Sequence, residues 1–205
     1  MSEMTIADAA PSNQLSDDEL RIEREKLEAW CTPQEFHNKV DALAAKFSLE
    51  ERFHSPRLAF LRDAILLTEF ALKLSGATSV RLAAESDQFP DGYVTVPGTK
   101  TLKVEVTEAD HEDRRRGDEY KDGGKAKERP TDDSEGVNVI AKELERVIQK
   151  KARKRYNPKP TLVVWLNLDK QEIEESDVVA VLENTRSKYA GSFEKSFILW
   201  RGKVL

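Results

Sequence analysis

Cysteine occurs once in 205 residues, at Cys31. That excludes an intramolecular disulfide, and no Cys/His cluster offers a structural zinc site. The three histidines, His37, His54 and His111, suggest no base for Cys31, so it reads as an ordinary buried thiol rather than a nucleophile. Long apolar runs are also missing. None approaches the roughly 18 residues a membrane helix needs, and the longest candidate, 64–74, is broken by Thr68, Glu69 and Lys73. The opening MSEMTIADAAPSNQ lacks a basic region followed by an apolar stretch, so no secretory signal is visible and a cytoplasmic location is expected. There are no internal repeats and no recognisable base-reading module.

What is present is enough for a core. Hydrophobic residues make up 39% and charged residues 35%, a balance that fits one domain with an appendage and only local disorder. The net charge of −5 argues against a protein that coats DNA, but the position of the positive charge matters more than its sum. It is clustered: between Arg146 and Lys159 stand seven basic residues (Arg146, Lys150, Lys151, Arg153, Lys154, Arg155, Lys159) and no acid.

Residues 1–15 read as a disordered tail. Ser16 and Glu19 have capping-box spacing, with Asp17 and Asp18 in the favourable first turn, so a helix is expected from Ser16. A second helix is expected from Pro33, with Phe36, Val40, Leu43, Ala44 and Phe47 at helical spacing. These two form the expected N-terminal helical hairpin, 16–55. Pro56 opens a third helix running to Gly76. Strands are expected at 80–84 and 93–96, then at 102–107, where Leu102, Val104 and Val106 alternate with Lys103, Glu105 and Thr107. Residues 109–135, nearly free of apolar side chains, read as a long mobile loop. A fourth helix is expected at 137–156, a buried strand at 161–168, a last helix at 177–187 and a last strand at 197–200. The order from residue 56 is α-β-β-β-α-β and then α-β, which places 56–205 in the α/β or α+β class with a mixed central sheet flanked by helices. Trp30, Trp165 and Trp200 read as core residues.

Asp91 lies just before the second strand of the sheet, and Glu105 lies on the third. Two carboxylates on neighbouring hairpin strands can converge on one hard cation. Mg²⁺ keeps several waters, so two suffice when phosphate supplies the rest. The segments FPDGYV (89–94) and VEVTE (104–108), joined by a hairpin, resemble the PD…ExK signature of the PD-(D/E)XK nuclease superfamily. The following helix, ELERVIQKKARKRY (143–156), and the strand LVVWL (162–166) extend the likeness to roughly residues 57–168. It is similar to a bacterial subgroup with Glu-Val-Thr in place of Glu-x-Lys.

This resemblance implies a restriction-endonuclease-like αβββαβ core and hydrolysis of DNA phosphodiesters with Mg²⁺ or Mn²⁺, in restriction, phage defence or repair. Asp91 and Glu105 become metal ligands, and Glu69 stands for the first-helix acid that many members add. Glu108 can reach the metal through water. Thr107 occupies the family's lysine position. By analogy with members that supply the lysine from the next helix, Lys151 is the first choice, Lys150 the second and Lys154 a further one, with Lys103 a rival on the face of Glu105. Arg114, Arg115 and Arg116, in the loop that leaves this strand, are expected to contact phosphates together with Lys150 and Lys154. Glu119-Tyr120-Lys121 also spells the motif, but in a loop, where it has no strand to hold it. DNA is the expected partner, no membrane is, and a homodimer is compatible with the sequence. The alternative function is a catalytically decayed nuclease-fold module that binds nucleic acid or protein.

Overall fold

The computed structural model describes residues 15–110, 136–168 and 173–205. Three short helices begin at reciprocal caps. Ser16 starts α1 (Asp17–Glu28), Thr32 starts α2 (Pro33–Ala44) and Ser48 starts α3 (Leu49–His54). In each the cap side chain accepts the N–H of a glutamate three residues on, and that glutamate's carboxylate accepts the cap N–H in return. Two orphan donors are thereby satisfied per helix. A 3₁₀ turn, Pro56–Leu58, leads into α4 (Ala59–Lys73).

The sheet has six strands in sequential order: β1 (Ser79–Leu82), β2 (Gly92–Thr95), β3 (Leu102–Ala109), β4 (Thr161–Leu166), β5 (Lys195–Trp200) and β6 (Lys203–Val204). Strands β1, β2 and β3 form an antiparallel meander. Strands β3, β4 and β5 run parallel, and β6 returns antiparallel to β5. The parallel crossovers pass through α5 (Gly136–Ala152) and α6 (Glu175–Lys188). The chain is thus a mixed α/β protein, with six α-helices and a six-stranded mixed sheet among the described residues.

Alternation along β4 divides two cores. Val163 joins Leu61, Leu67, Phe70, Val94, Val104 and Val106 on the side of α1, α2 and α4. Leu162, Val164 and Leu166 join Ile140, Leu144, Ile148, Val178 and Leu182 on the side of α5 and α6. Both faces of β4 are covered, as its near-continuous apolar run requires. The expected helical hairpin is part of the first core, since Leu20, Leu27, Phe36 and Val40 belong to the same cluster as the sheet residues. Among the described residues no helix is long and apolar enough to cross a membrane.

Several expectations shift. Strand β3 runs on to Ala109, because Glu108 and Ala109 pair with Trp165 and Leu166 of β4. The loop expected from residue 109 therefore begins later, and 111–135 lie outside the described residues. The fourth helix stops at Ala152, and Arg155 takes φ 51°, a left-handed conformation that reverses the chain. Helix α3 and strand β6 were not expected. Trp200 is buried, but Trp30 is 47% exposed and corrects its assignment to the core. The connection between α1 and α2 pairs with edge strand β1 through a bridge between Cys31 and Val80 (Cys31 N to Val80 O 3.2 Å, Val80 N to Cys31 O 2.9 Å). This bridge fixes the indole of Trp30 at the sheet's rim. Cys31 itself is only partly buried, and burial pushes its thiol up, away from a nucleophilic thiolate.

Candidate functional site

Strands β2 and β3 stay paired only from Val94↔Leu102 to Gly92↔Val104. Past Gly92 the hairpin opens, while β3 continues with β4 on its other side. The backbone of Val106 thus loses its strand partner on the side facing β2, and an unpaired buried amide is costly. Two side chains take its place. Asp91 Oδ2 accepts from Val106 N at 2.8 Å, and Lys151 Nζ donates to the Val106 carbonyl at 2.9 Å. Asp91 is itself anchored by its backbone, with its N–H on Val104 O and its carbonyl taking Ala83 N–H, both at 3.0 Å.

Glu105 follows from alternation. Val104 and Val106 face the core under α4, so Glu105 points to the opposite face, toward α5, where it is 2% exposed. A carboxylate so buried must be paired. Three donors converge on its Oε1: Lys151 Nζ at 2.7 Å, Lys154 Nζ at 3.3 Å and Tyr156 OH at 2.5 Å. Lys151 lies in the last turn of α5 and Lys154 in the turn that follows it, and both reach the same oxygen. The turn at Arg155 brings Tyr156 back, where its ring also meets Phe89 at 4.7 Å between centroids. Burial, followed by the hydrogen bond to Glu105, pushes the Tyr156 hydroxyl well up from its ordinary value, so it stays a donor.

Close approach of α4 supplies a further acid. A Cβ at Gly92 would stand 2.2 Å from Leu67 Cδ2 and 2.9 Å from the Arg81 carbonyl. Glycine therefore lets Leu67 seat against β2. Asp63 lies one turn earlier on that face of α4 and falls beside the opened hairpin. Burial pushes its carboxyl up to about 7, the charges of Asp91 and Glu105 add to the rise, and Lys151 and Arg62 oppose it. Asp91 is raised too, by burial first and then by the Glu105 charge, against the pull of Lys151 and Lys154. Like-charged carboxyls held out of water resist ionisation in this way, and a cation among them would relieve it.

Asp91, Glu105, Lys151 and Lys154 thus come together. Glu69 does not join them: its carboxylate pairs with Lys73 at 3.0 Å and is half exposed. Lys150 is exposed. Lys103 shares the face of Glu105 one step back along β3. Glu108 is on the other face and accepts from Asn167 Nδ2 at 2.8 Å. Arg114, Arg115, Arg116 and the Glu119-Tyr120-Lys121 triplet lie outside the described residues. Asp63 and Tyr156 were missed by the sequence reading. For Asp63 the available signal was an acid on the apolar flank of α4, four residues before Leu67. Tyr156 closes the basic run, but only the turn at Arg155 aims it.

Among the described residues, no group of three or more His, Cys, Asp or Glu side chains is placed so that it could hold a metal ion. Asp63, Asp91 and Glu105 lie within electrostatic reach of one another, and carboxylate oxygens suit a hard cation that keeps most of its waters rather than a soft one. The chain matches no family model, no curated protein and no solved structure.

Proposed function

We propose that this protein is a metal-dependent nuclease that hydrolyses DNA phosphodiester bonds, built on a restriction-endonuclease-like core and serving restriction, phage defence or repair. The observation that carries the reading is the 2.7 Å contact from Lys151 Nζ to Glu105 Oε1. It joins the third-strand acid to a lysine from the next helix, the substitution expected where Thr107 replaces the strand lysine. The order α4-β1-β2-β3-α5-β4 supports it, as does Asp91 at the mouth of the same hairpin.

Asp91 and Glu105 would hold Mg²⁺ or Mn²⁺, and Asp63, rather than Glu69, would be the acid of the preceding helix near enough to act on it through water. Bound metal would polarise the phosphodiester and lower the pKa of the attacking water. Carboxylates alone repel phosphate. Lys151 offsets that repulsion and stabilises the anionic transition state, and Lys154 adds to the same field. Tyr156 and the Val106 carbonyl hold Glu105 and Lys151 in place.

A second reading, a catalytically decayed module that binds nucleic acid or protein, is favoured by one observation. All three donors sit on Glu105 Oε1, so the carboxylate is already neutralised by the protein itself. Cleavage of labelled single- and double-stranded DNA with Mg²⁺ or Mn²⁺ separates the two. Wild type is expected to cut, Glu105→Gln to be inactive, and Lys151→Met to be slowed about 10²-fold, the scale of losing one electrostatic stabiliser. Full activity in Glu105→Gln sinks the assignment, and inactive wild type leaves the binding module.

A further inference from the structure

Helix α5 packs over β3, leaving the same sheet face of β1 and β2 uncovered by it. The residues there fall in one cross-strand row. Arg81 pairs with Tyr93, and Tyr93 with Lys103. The antiparallel bridge of Cys31 with Val80 sets Trp30 opposite Arg81 and continues the row. The guanidinium carbon of Arg81 lies 4.1 Å from the Tyr93 ring centroid and 5.3 Å from that of Trp30. Arg81, Tyr93 and Lys103 are half-buried, and Trp30 has 47% of its surface in solvent. Tryptophan and tyrosine are enriched at binding surfaces, where one end of the ring system is apolar and the other wet.

We propose that this row is a track for single-stranded DNA leading to the Asp91–Glu105 site, with Trp30 stacking a base and Lys103 and Arg81 neutralising phosphates. The proposal rests on the nuclease reading for its choice of partner. Tyr93 and Lys103 lie two residues along their strands from Asp91 and Glu105, a distance of about 7 Å, or roughly two steps of a stacked strand. A strand that follows the row from Trp30 to Lys103 therefore reaches the opened hairpin by turning along β3 toward Glu105. Cations interleaved with aromatic rings match a chain of alternating phosphates and bases. A duplex does not fit, because its bases stack on one another and offer the indole no free face.

The test is fluorescence anisotropy with a labelled thymidine 20-mer and a duplex of equal length, in EDTA, from 50 to 200 mM salt. Binding is then read without metal or cleavage. The single strand is expected to bind more tightly than the duplex. Trp30→Ala should weaken it about fivefold or more at every salt concentration, the scale of one lost stacked base, and Trp30→Phe should restore most of the loss. Lys103→Ala should instead flatten the log–log salt slope by ~0.7, one counterion's share on a single strand. Circular dichroism shows that each variant is folded. Wild type that binds no single strand, prefers the duplex, or is unchanged by both alanine variants overturns the track, whatever its cleavage activity. Binding that responds as described while wild type cuts nothing with Mg²⁺ or Mn²⁺ upholds the track and removes the nuclease reading.

Discussion

Asp63→Asn should stabilise the metal-free protein, and the gain should grow with pH. The folded chain pushes this carboxyl up to about 7, mainly by burial and then by the neighbouring Asp91 charge. Its unfolded value is about 3.9. Between these two values the folded state binds more protons than the unfolded state, so stability falls as pH rises from ~4 through ~7 and then levels off. The full displacement corresponds to about 4 kcal/mol against the ionised form. Asp63 keeps part of its surface in water, so about half, ~2 kcal/mol, is the sounder expectation. Asparagine keeps the shape and never ionises. Urea unfolding followed by circular dichroism in EDTA should show a gain below ~0.5 kcal/mol at pH 4 and about 2 kcal/mol at pH 8. At pH 8 that corresponds to a rise in Tm of about 4–8 °C for a chain of this size. Equal gains at both pH values, or a loss at pH 8, would show that Asp63 is not confined with Asp91 and Glu105.

Two further variants probe the same arrangement. Lys151→Met strands a carboxylate that is almost wholly buried, and removing one partner of a buried pair costs about 3–5 kcal/mol. Lys154 and Tyr156 remain on Glu105 Oε1, so the lower end is expected, read as a shifted urea midpoint; a change under ~0.5 kcal/mol would mean that the ion pair does not form. Gly92→Ala puts a Cβ against Leu67 and the Arg81 backbone and should cost about 1–3 kcal/mol by overpacking, checked by thermal unfolding; an unchanged Tm would show that α4 does not seat there.

The sequence was most informative where a local rule fixes the chain. The Ser16–Glu19 box and the alternation through Leu102–Val106 locate α1 and the face of Glu105 directly. The same capping spacing stands at Ser48–Glu51, and α3 was legible there though overlooked. The continuation of β3 was not legible: Glu108 breaks the apolar pattern, and only parallel pairing with β4 makes it a strand. Trp30 shows the limit most clearly. As a tryptophan it reads as a core residue, whereas a long-range bridge from Cys31 to Val80, 49 residues away, turns it outward. Asp63 was hidden for a similar reason. Its importance depends on how closely α4 approaches β2, and that depends on Gly92 in another element.

The most direct measurement is Mn²⁺ binding followed by the loss of the free-ion electron paramagnetic resonance signal at pH 8, with and without thymidine 5′-monophosphate to supply a phosphate ligand. Wild type should take up one ion per chain. Asp91→Asn and Glu105→Gln should each weaken the affinity about tenfold or more, at least the loss seen when a ligand's outer supports are removed. Wild type that binds no Mn²⁺ under either condition, or an Asp91→Asn variant that binds as well as wild type, would contradict a metal site at the opened β2–β3 hairpin.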